Sequence, residues 1–431
     1  MTQIVLAPLL LGGARPWAAA ILSLLTGIGI LAICLTAHPV KPRRYLGRIW
    51  LVVAVLAGWA VLQSLPIWPI QDAPFNAPHI ALYPDAWIAM SGNLIWLAGA
   101  ITLASMIAQS RPDRFTHDLA KIIIASYTVQ VFLAVLAATL GLETTFWFTK
   151  QAHFGDWTGS FANRNAFGSF MGIGILACLY LYAQNRDGNK AKRLDQSGGL
   201  LALAIIFAAS LIQSHSRSGI ILGVIGVLLF VTCNTPAKNR AKRLLWAGLF
   251  GGMAMLVIGL ADPDLANRFS ELARFDLIQR DDAWQTAIHA IADRPITGFG
   301  SDSIALVMGH FATPELNTNA HWFSSHNLLL DGVMMFGIPV VIAVLVAGVF
   351  ALKCILNSAI NPSDRALTVA LTGFVLLGGL VGWVMSLPAL ILPIAVLWVG
   401  VFEAGLARRG EGLEHVDHRA QSPLPDQTIW R

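Results

Sequence analysis

A histidine and an asparagine stand side by side at His326 and Asn327, in HWFSSHNLLLDG, where a polar Ser-Ser-His-Asn group meets a long apolar run. An imidazole with an ordinary pKa of ~6.5 takes a proton from a hydroxyl at neutral pH. Two more polar groups have the same setting. GSFANRNAFGSF carries Asn163, Arg164 and Asn165 at the start of an apolar run, and SHSRSG carries Arg217 in a tight turn between two such runs. Arg280 opens RDDAWQTAIHAIADRP, in the polar stretch that His326 closes. Guanidinium forks bind phosphate oxygens in bidentate fashion and stay charged at any working pH. The residue types therefore offer a base beside an anion site, with His326 as the catalytic candidate and Arg217, Arg280, Arg164, Asn163, Asn165 and Asn327 as binding candidates.

Each of these has a plainer reading. Arg217 could anchor a hairpin to lipid headgroups, and Arg164 and Arg280 could be ordinary loop residues, the latter with Arg268, Arg274 and Arg294 nearby. Sidedness argues against anchoring, because all three arginines break the positive-inside bias worked out below. His321 competes with His326 as a base, and Asp302 is another. Asp331 lies about 140° round a helix from His326 and is not expected to orient that ring.

The elements that must position these residues are membrane helices. The chain has 431 residues, 56% hydrophobic and 12% charged, against about 25% charged in soluble domains. Its mean hydropathy is +0.64. Apolar runs long enough to span lie near 17–37, 48–65, 87–108, 119–141, 166–184, 198–213, 217–234, 244–261, 327–352, 366–386 and 388–406. Residues 3–13 add a short one, a tilted first span or a re-entrant piece, for about twelve transmembrane helices in an all-α polytopic protein. No removable signal peptide is expected.

Lys and Arg fix the expected orientation. Lys41, Arg43, Arg44 and Arg48 share one set of loops with Arg111, Arg114 and Lys121, with Arg186 to Arg193, with Lys238 to Arg243, with Lys353 and Arg365, and with Arg408 and Arg409. These alternate with loops poor in both residues, so the basic set faces the cytoplasm and the polar groups face outward. The domain reading is a transmembrane unit over 1–406, including an outer loop over 262–326, and a cytoplasmic, disordered tail over 407–431. Within the loop, Asp281 and Asp282 suit a helix start and Pro295 a helix end. Trp284, Ala287, Ile288 and Ile291 form one stripe, as in an amphipathic helix lying on the membrane.

Several chemistries are excluded. Cys34, Cys178, Cys233 and Cys354 share no exposed loop, so no disulfide framework is expected, and no His/Cys spacing suggests a metal. The pI near 9.2 reflects orienting loop residues rather than a nucleic-acid partner. There is no H-E-x-x-H, G-x-S-x-G or Walker loop. The polar residues gather on one side, without the inverted repeats and broken midplane helices of a transporter for lipid-linked sugars.

In their order and spacing, GSFANRNAFG, SHSRSG, RDDAWQTAIHAIADRPITGFG and HNLLLDGVMMFGIP resemble the O-antigen ligase and polysaccharide polymerase family of bacterial inner-membrane proteins, most specifically over 155–340. The resemblance implies a type C glycosyltransferase-like fold with a large periplasmic loop. It implies an undecaprenyl-diphosphate-linked glycan donor, a lipid A-core or growing-glycan acceptor, membrane lipid as surroundings, and neither cofactor nor metal. It gives His326 the role of base and Arg217 and Arg280 the diphosphate. One departure weakens ligase against polymerase: Val340 stands three residues after Gly337, where the ligases carry Gly, Thr or Tyr.

Overall fold

The computed structural model describes residues 1–36, 40, 42–68, 78–185, 190–242, 244–245, 248, 276–316, 321–359 and 361–420, with backbone alone at 190–196, 276–279 and 410–420. The chain is an all-α polytopic membrane protein. Its helices are α1 (Thr2–Leu9), α2 (Pro16–Cys34), α3 (Arg44–Ser64), α4 (Ala86–Ser110), α5 (Pro112–Thr139), α6 (Arg164–Gln184), α7 (Lys190–Gln213) and α8 (Arg217–Asn234). Beyond the gap come α9 (Asp276–Asp293), α10 (Ile304–His310), α11 (Leu328–Phe336), α12 (Ile338–Ser358), α13 (Pro362–Val381) and α14 (Pro388–Ala420).

Among the described residues nine helices are long and apolar enough to cross a membrane, and α7 adds a shorter apolar stretch over Ser197–Gln213. The expected span at 244–261 lies almost wholly outside the described residues. Residues 3–13 do not form a full span. They are the eight-residue α1 and a 3-10 turn at Leu11–Gly13, and α1 is too short to cross. It is buried against α2 and α5, with the Gln3 amide donating to Thr26 at 2.7 Å and the Ser126 hydroxyl to the Ile4 carbonyl at 3.1 Å. The last helix continues past Ala407 to Ala420, so the first part of the expected tail is helical, and 421–431 lie outside the described residues.

Contacts between loops agree with the alternation read from the basic residues. On the basic face, Arg43 meets Glu403 and Arg408 meets Asp113. On the opposite face, here called the site face, Leu82 N–H donates to the Phe299 carbonyl and Trp157 N–H to the Gln213 carbonyl.

The central helix is α6, with 83% of its span buried, whereas none of α12 is. Its glycines allow this. A Cβ on Gly172 would come within 2.8 Å of the Phe374 ring, and one on Gly174 within 2.5 Å of Tyr127. With lipid outside, helices associate through packing at small residues rather than through hydrophobic exclusion.

The largest departure from the expected spans is at 327–352. That run is broken at Gly337 into α11 and α12. Gly337 has φ 82° and ψ 161°, a conformation essentially reserved for glycine. The break is clasped by the ITGFG turn: Phe299 N–H donates to the Met334 carbonyl at 2.7 Å, Gly300 N–H to Met335 at 2.9 Å, and Ile338 N–H to Pro295 at 2.8 Å. The Gln63 amide joins in, bonding the Thr297 and Met335 carbonyls at 2.7 and 2.9 Å. So α11 belongs to a small lobe on the site face, packed with α9 and α10 around Ala283, Ala287, Ala290, Phe299, Val307, Met308 and Met334.

The same packing selects one side of α9. Its buried side carries Ala283, Thr286, Ala287 and Ala290, while Ile288 is 54% exposed and Trp284 and Ile291 are half-buried. Small alanines let α11 approach, and the bulky stripe is left outside.

The break yields a test. A Cβ on Gly337 would overlap the Ile296 carbonyl oxygen as well as strain the backbone. Gly337→Ala should cost about 3 kcal/mol or more, read as a large fall in Tm in detergent. Gly348→Ala, in α12 where a Cβ meets nothing within 4 Å, should leave Tm unchanged.

Candidate active site

Two helices begin side by side at the site face. Asn163 caps α6, its side-chain oxygen accepting from the N–H groups of Asn165 at 2.7 Å and Ala166 at 3.3 Å. Ser216 caps α8, accepting from Gly219 N–H at 3.1 Å and donating to the Asn165 side-chain oxygen at 2.8 Å. One hydroxyl thus satisfies the start of α8 and ties it to the first turn of α6.

Beneath them sits Asp156, whose side chain is 3% exposed. Its two oxygens accept from Arg164 Nη1 at 2.9 Å and pair with His215 Nδ1 at 2.7 Å. Burial works against the charge, but the hydrogen bonds from His215 and Arg164 prevail and hold its carboxyl below the usual carboxylate range. Asp156 therefore links the 142–163 loop, the start of α6 and the α7–α8 turn, where His215 has a positive φ of 49°.

The third polar group is built around Asp331 on α11. It accepts from the Ser324 hydroxyl, from Ser325 N–H at 2.8 Å and from the Ser325 hydroxyl at 2.6 Å. His326 N–H in turn donates to the Ser324 hydroxyl at 2.9 Å, and His326 holds a left-handed φ of 59°. Asn327 caps α11, accepting from Leu329 N–H at 3.0 Å and Leu330 N–H at 3.3 Å. Asp331 fastens the turn that presents the histidine. The Trp322 ring lies edge-on to the imidazole, 5.9 Å between centroids.

These pieces form a small cleft lined by Asn165, Ser169, Ser218, Leu222, Arg280, His326 and the Gly378–Val384 corner with Trp383. Three of the residues singled out from sequence, Asn165, Arg280 and His326, therefore share one cleft. Arg217 is half-buried at the first position of α8, next to Ser218, and is not among the lining residues. Arg164 turns to Asp156, and Asn163 and Asn327 serve as caps. Neither His321, which is exposed, nor Asp302 lines the cleft.

Sequence reasoning missed Ser169, Ser218, Trp383, Asp156 and His215. Ser169 follows Asn165 by four residues, so it shares that helix face. Its hydroxyl is buried without a partner in the protein. Asp156 is the lone carboxylate between Glu143 and Asp187, a signal that it had a particular task. Trp383 had no local signal.

In a polytopic membrane protein, one cleft thus brings together a histidine, an arginine and the starts of two helices. Residues 201–345 match the family model described as O-antigen ligase, a stretch that includes Arg217, Arg280, His326 and Asn327. The chain is also 26% identical over 189 residues to a General O-oligosaccharyltransferase of Acinetobacter baylyi, a match covering 40% of this chain and 31% of that relative. The chain spans about a third of that protein's length. Over residues 201–345 the chain is similar to the O-antigen ligases.

A carboxylate with a depressed folded pKa adds stability above its unfolded value of ~3.9 and loses it as pH falls through the folded pKa. Asp156→Asn should therefore lower Tm at pH 7. The gap to the parent protein should close below about pH 4. A gap that persists unchanged at pH 3 would assign the loss to packing instead.

Proposed function

We propose that the chain is a glycosyltransferase that moves a glycan from an undecaprenyl diphosphate onto an acceptor hydroxyl, with a lipid A-core as the acceptor of an O-antigen ligase. The observation that carries this reading is the meeting of Arg280 and His326 with the starts of α6 and α8 in one cleft. Helix N-termini and guanidinium groups both favour a phosphate anion. The imidazole supplies a base for the attacking hydroxyl.

The reaction balances simply. His326 takes the proton of the acceptor hydroxyl, and the freed oxygen attacks the anomeric carbon from the face opposite the diphosphate. The bond from that carbon to the diphosphate oxygen breaks, and the configuration inverts. Negative charge grows on the departing diphosphate, where Arg280, Arg217 and the helix starts stabilise it. These groups supply positive charge from the chain itself, so the reading calls for no metal. The membrane is the bacterial inner membrane, and the cleft faces the periplasm, opposite the basic loops.

Two further acceptors come from particular observations. Val340 leaves room for a polymerase that extends a growing glycan, and the Acinetobacter relative's name suggests a hydroxyl on a protein. Deletion of the gene separates the three. Full-length glycan left on the polyprenyl carrier is expected for the ligase. Single repeat units left there would indicate a polymerase, and loss of glycan from protein alone would indicate the third acceptor.

The base is tested by substitution. His326→Ala should bind the lipid-linked donor almost normally yet transfer it roughly 10²–10⁴-fold more slowly. His321→Ala, outside the cleft, should keep most activity. Full activity in His326→Ala would end the proposed role.

A further inference from the structure

A second cleft of about 160 Å³ opens on the site face, between the end of α5 and the 142–159 loop. Its floor is small and apolar, from Ala134 and Ala138, and its wall carries Glu143, Lys150, Trp157 and Thr158. None of these belongs to the reaction cleft.

Two features of the wall point to a ligand. Thr158 is 2% exposed, and its hydroxyl has no partner within the protein. A buried hydroxyl left unmatched is costly. Lys150 is 8% exposed, with its ammonium 3.1 Å from Glu143 Oε2 and 2.8 Å from the Asp156 carbonyl oxygen. An ammonium has three donors, so these two oxygens leave a third.

The chemistry of the wall selects the ligand class. Glu143 and Lys150 cancel each other's charge, which argues against an ionic ligand. A lipid chain would leave the Thr158 hydroxyl and the Lys150 donor unmatched. A pyranose suits both parts: its C–H face packs on alanines and the indole, and its hydroxyls donate and accept along the wall. We propose that this cleft holds a neutral sugar unit of the glycan, away from the bond being made.

The inference rests on the glycan-transfer reading for its biological meaning, but the binding it claims is independent of catalysis. Asp156 borders this cleft, and its carboxylate holds Arg164 at the start of α6 and His215 in the α7–α8 turn. A glycan with its reacting end at His326 would have further sugars to accommodate, and this cleft lies on the same face.

The test is saturation-transfer NMR on the full-length protein in deuterated detergent, with free D-galactose, D-glucose, N-acetyl-D-glucosamine and L-rhamnose as probes. At least one should receive saturation. Ala138 is exposed, so Ala138→Trp fills the cleft without entering the core. Thr158→Val removes the unmatched hydroxyl at nearly constant volume. Each should weaken sugar binding by about tenfold or more, with Tm unchanged in the first. His326→Ala should leave binding intact. Absence of transfer to all four sugars, or binding that survives both substitutions, would overturn the proposal. Sugar binding that Ala138→Trp abolishes, in a protein that transfers no glycan, would sink the functional reading and leave this site standing. In an active protein, a KM raised for donor or for acceptor by Ala138→Trp identifies which glycan supplies the sugar.

Discussion

The close crossing of α6 and α8 is the contact from which the site follows. A Cβ on Gly219 would stand 3.0 Å from the Gly168 carbonyl carbon, and a Cβ on Gly168 would stand 2.8 Å from Ser216 Cβ. Gly168 and Gly172 on one helix face Gly219 and Gly223 on the other, the small-xxx-small spacing that lets backbones touch in lipid. Because the contact begins within the first two turns of both helices, their N-termini are forced together. Each terminus carries roughly half a positive charge. Ser216 then needs only one hydroxyl to cap α8 and reach Asn165 on α6. Bulkier residues at these glycines would separate the two positive ends and widen the cleft between them.

A related economy governs the other buried carboxylates. Asp331 takes the Ser324 and Ser325 hydroxyls. Asp364 accepts from the Tyr180 hydroxyl at 2.9 Å. Glu403 accepts from Tyr45 at 2.8 Å and Ser105 at 2.6 Å, with Arg43 at 3.3 Å. Each polar group ties together segments distant in space or in chain, and each stands near a membrane face, where burying a charge costs less than at mid-span. Asp156 lies at the site face, paired with Arg164 at 2.9 Å and His215 at 2.7 Å. Arg164 is thereby committed to holding the framework.

Most of the frame was legible from hydropathy and from Lys and Arg, because a span is long, apolar and bounded by loops of one charge sign. The three polar motifs were legible as well, and Asn165, Arg280 and His326 do share a cleft. What hydropathy could not register was the break at Gly337. The sequence on both sides is equally apolar, and one backbone angle separates a lobe helix from a span. Nor did the stripe of Trp284, Ala287, Ile288 and Ile291 single out the small residues of α9, Ala283, Ala287 and Ala290, that pack into the lobe. Asn163 and Asn327 drew attention for their position at helix mouths, and that position is the reason both act as caps. The Asp156 pairings join residues 8 and 59 apart in the chain, and no local pattern encodes such a meeting.

The break at Gly337 also determines what holds the histidine. Had 327–352 been a single span, His326 would ride on a membrane helix. Instead it precedes α11, a short helix shared between two cores. Leu328 packs against the membrane core, touching α13 near Gly379, while Leu330 and Met334 pack into the lobe. Asn165, Ser169 and Ser218 are fixed by the membrane core alone. The cleft is therefore a joint, with one wall built by α6 and α8 and the other delivered by the lobe. Its width depends on α11 satisfying both cores at once. That dependence gives the remote clasp of Gln63, Thr297 and Met335 a direct bearing on His326, although none of the three lines the cleft. A lobe that slipped by one turn of α11 would carry His326 about 5 Å along the helix axis, beyond hydrogen-bond reach of anything held at the starts of α6 and α8.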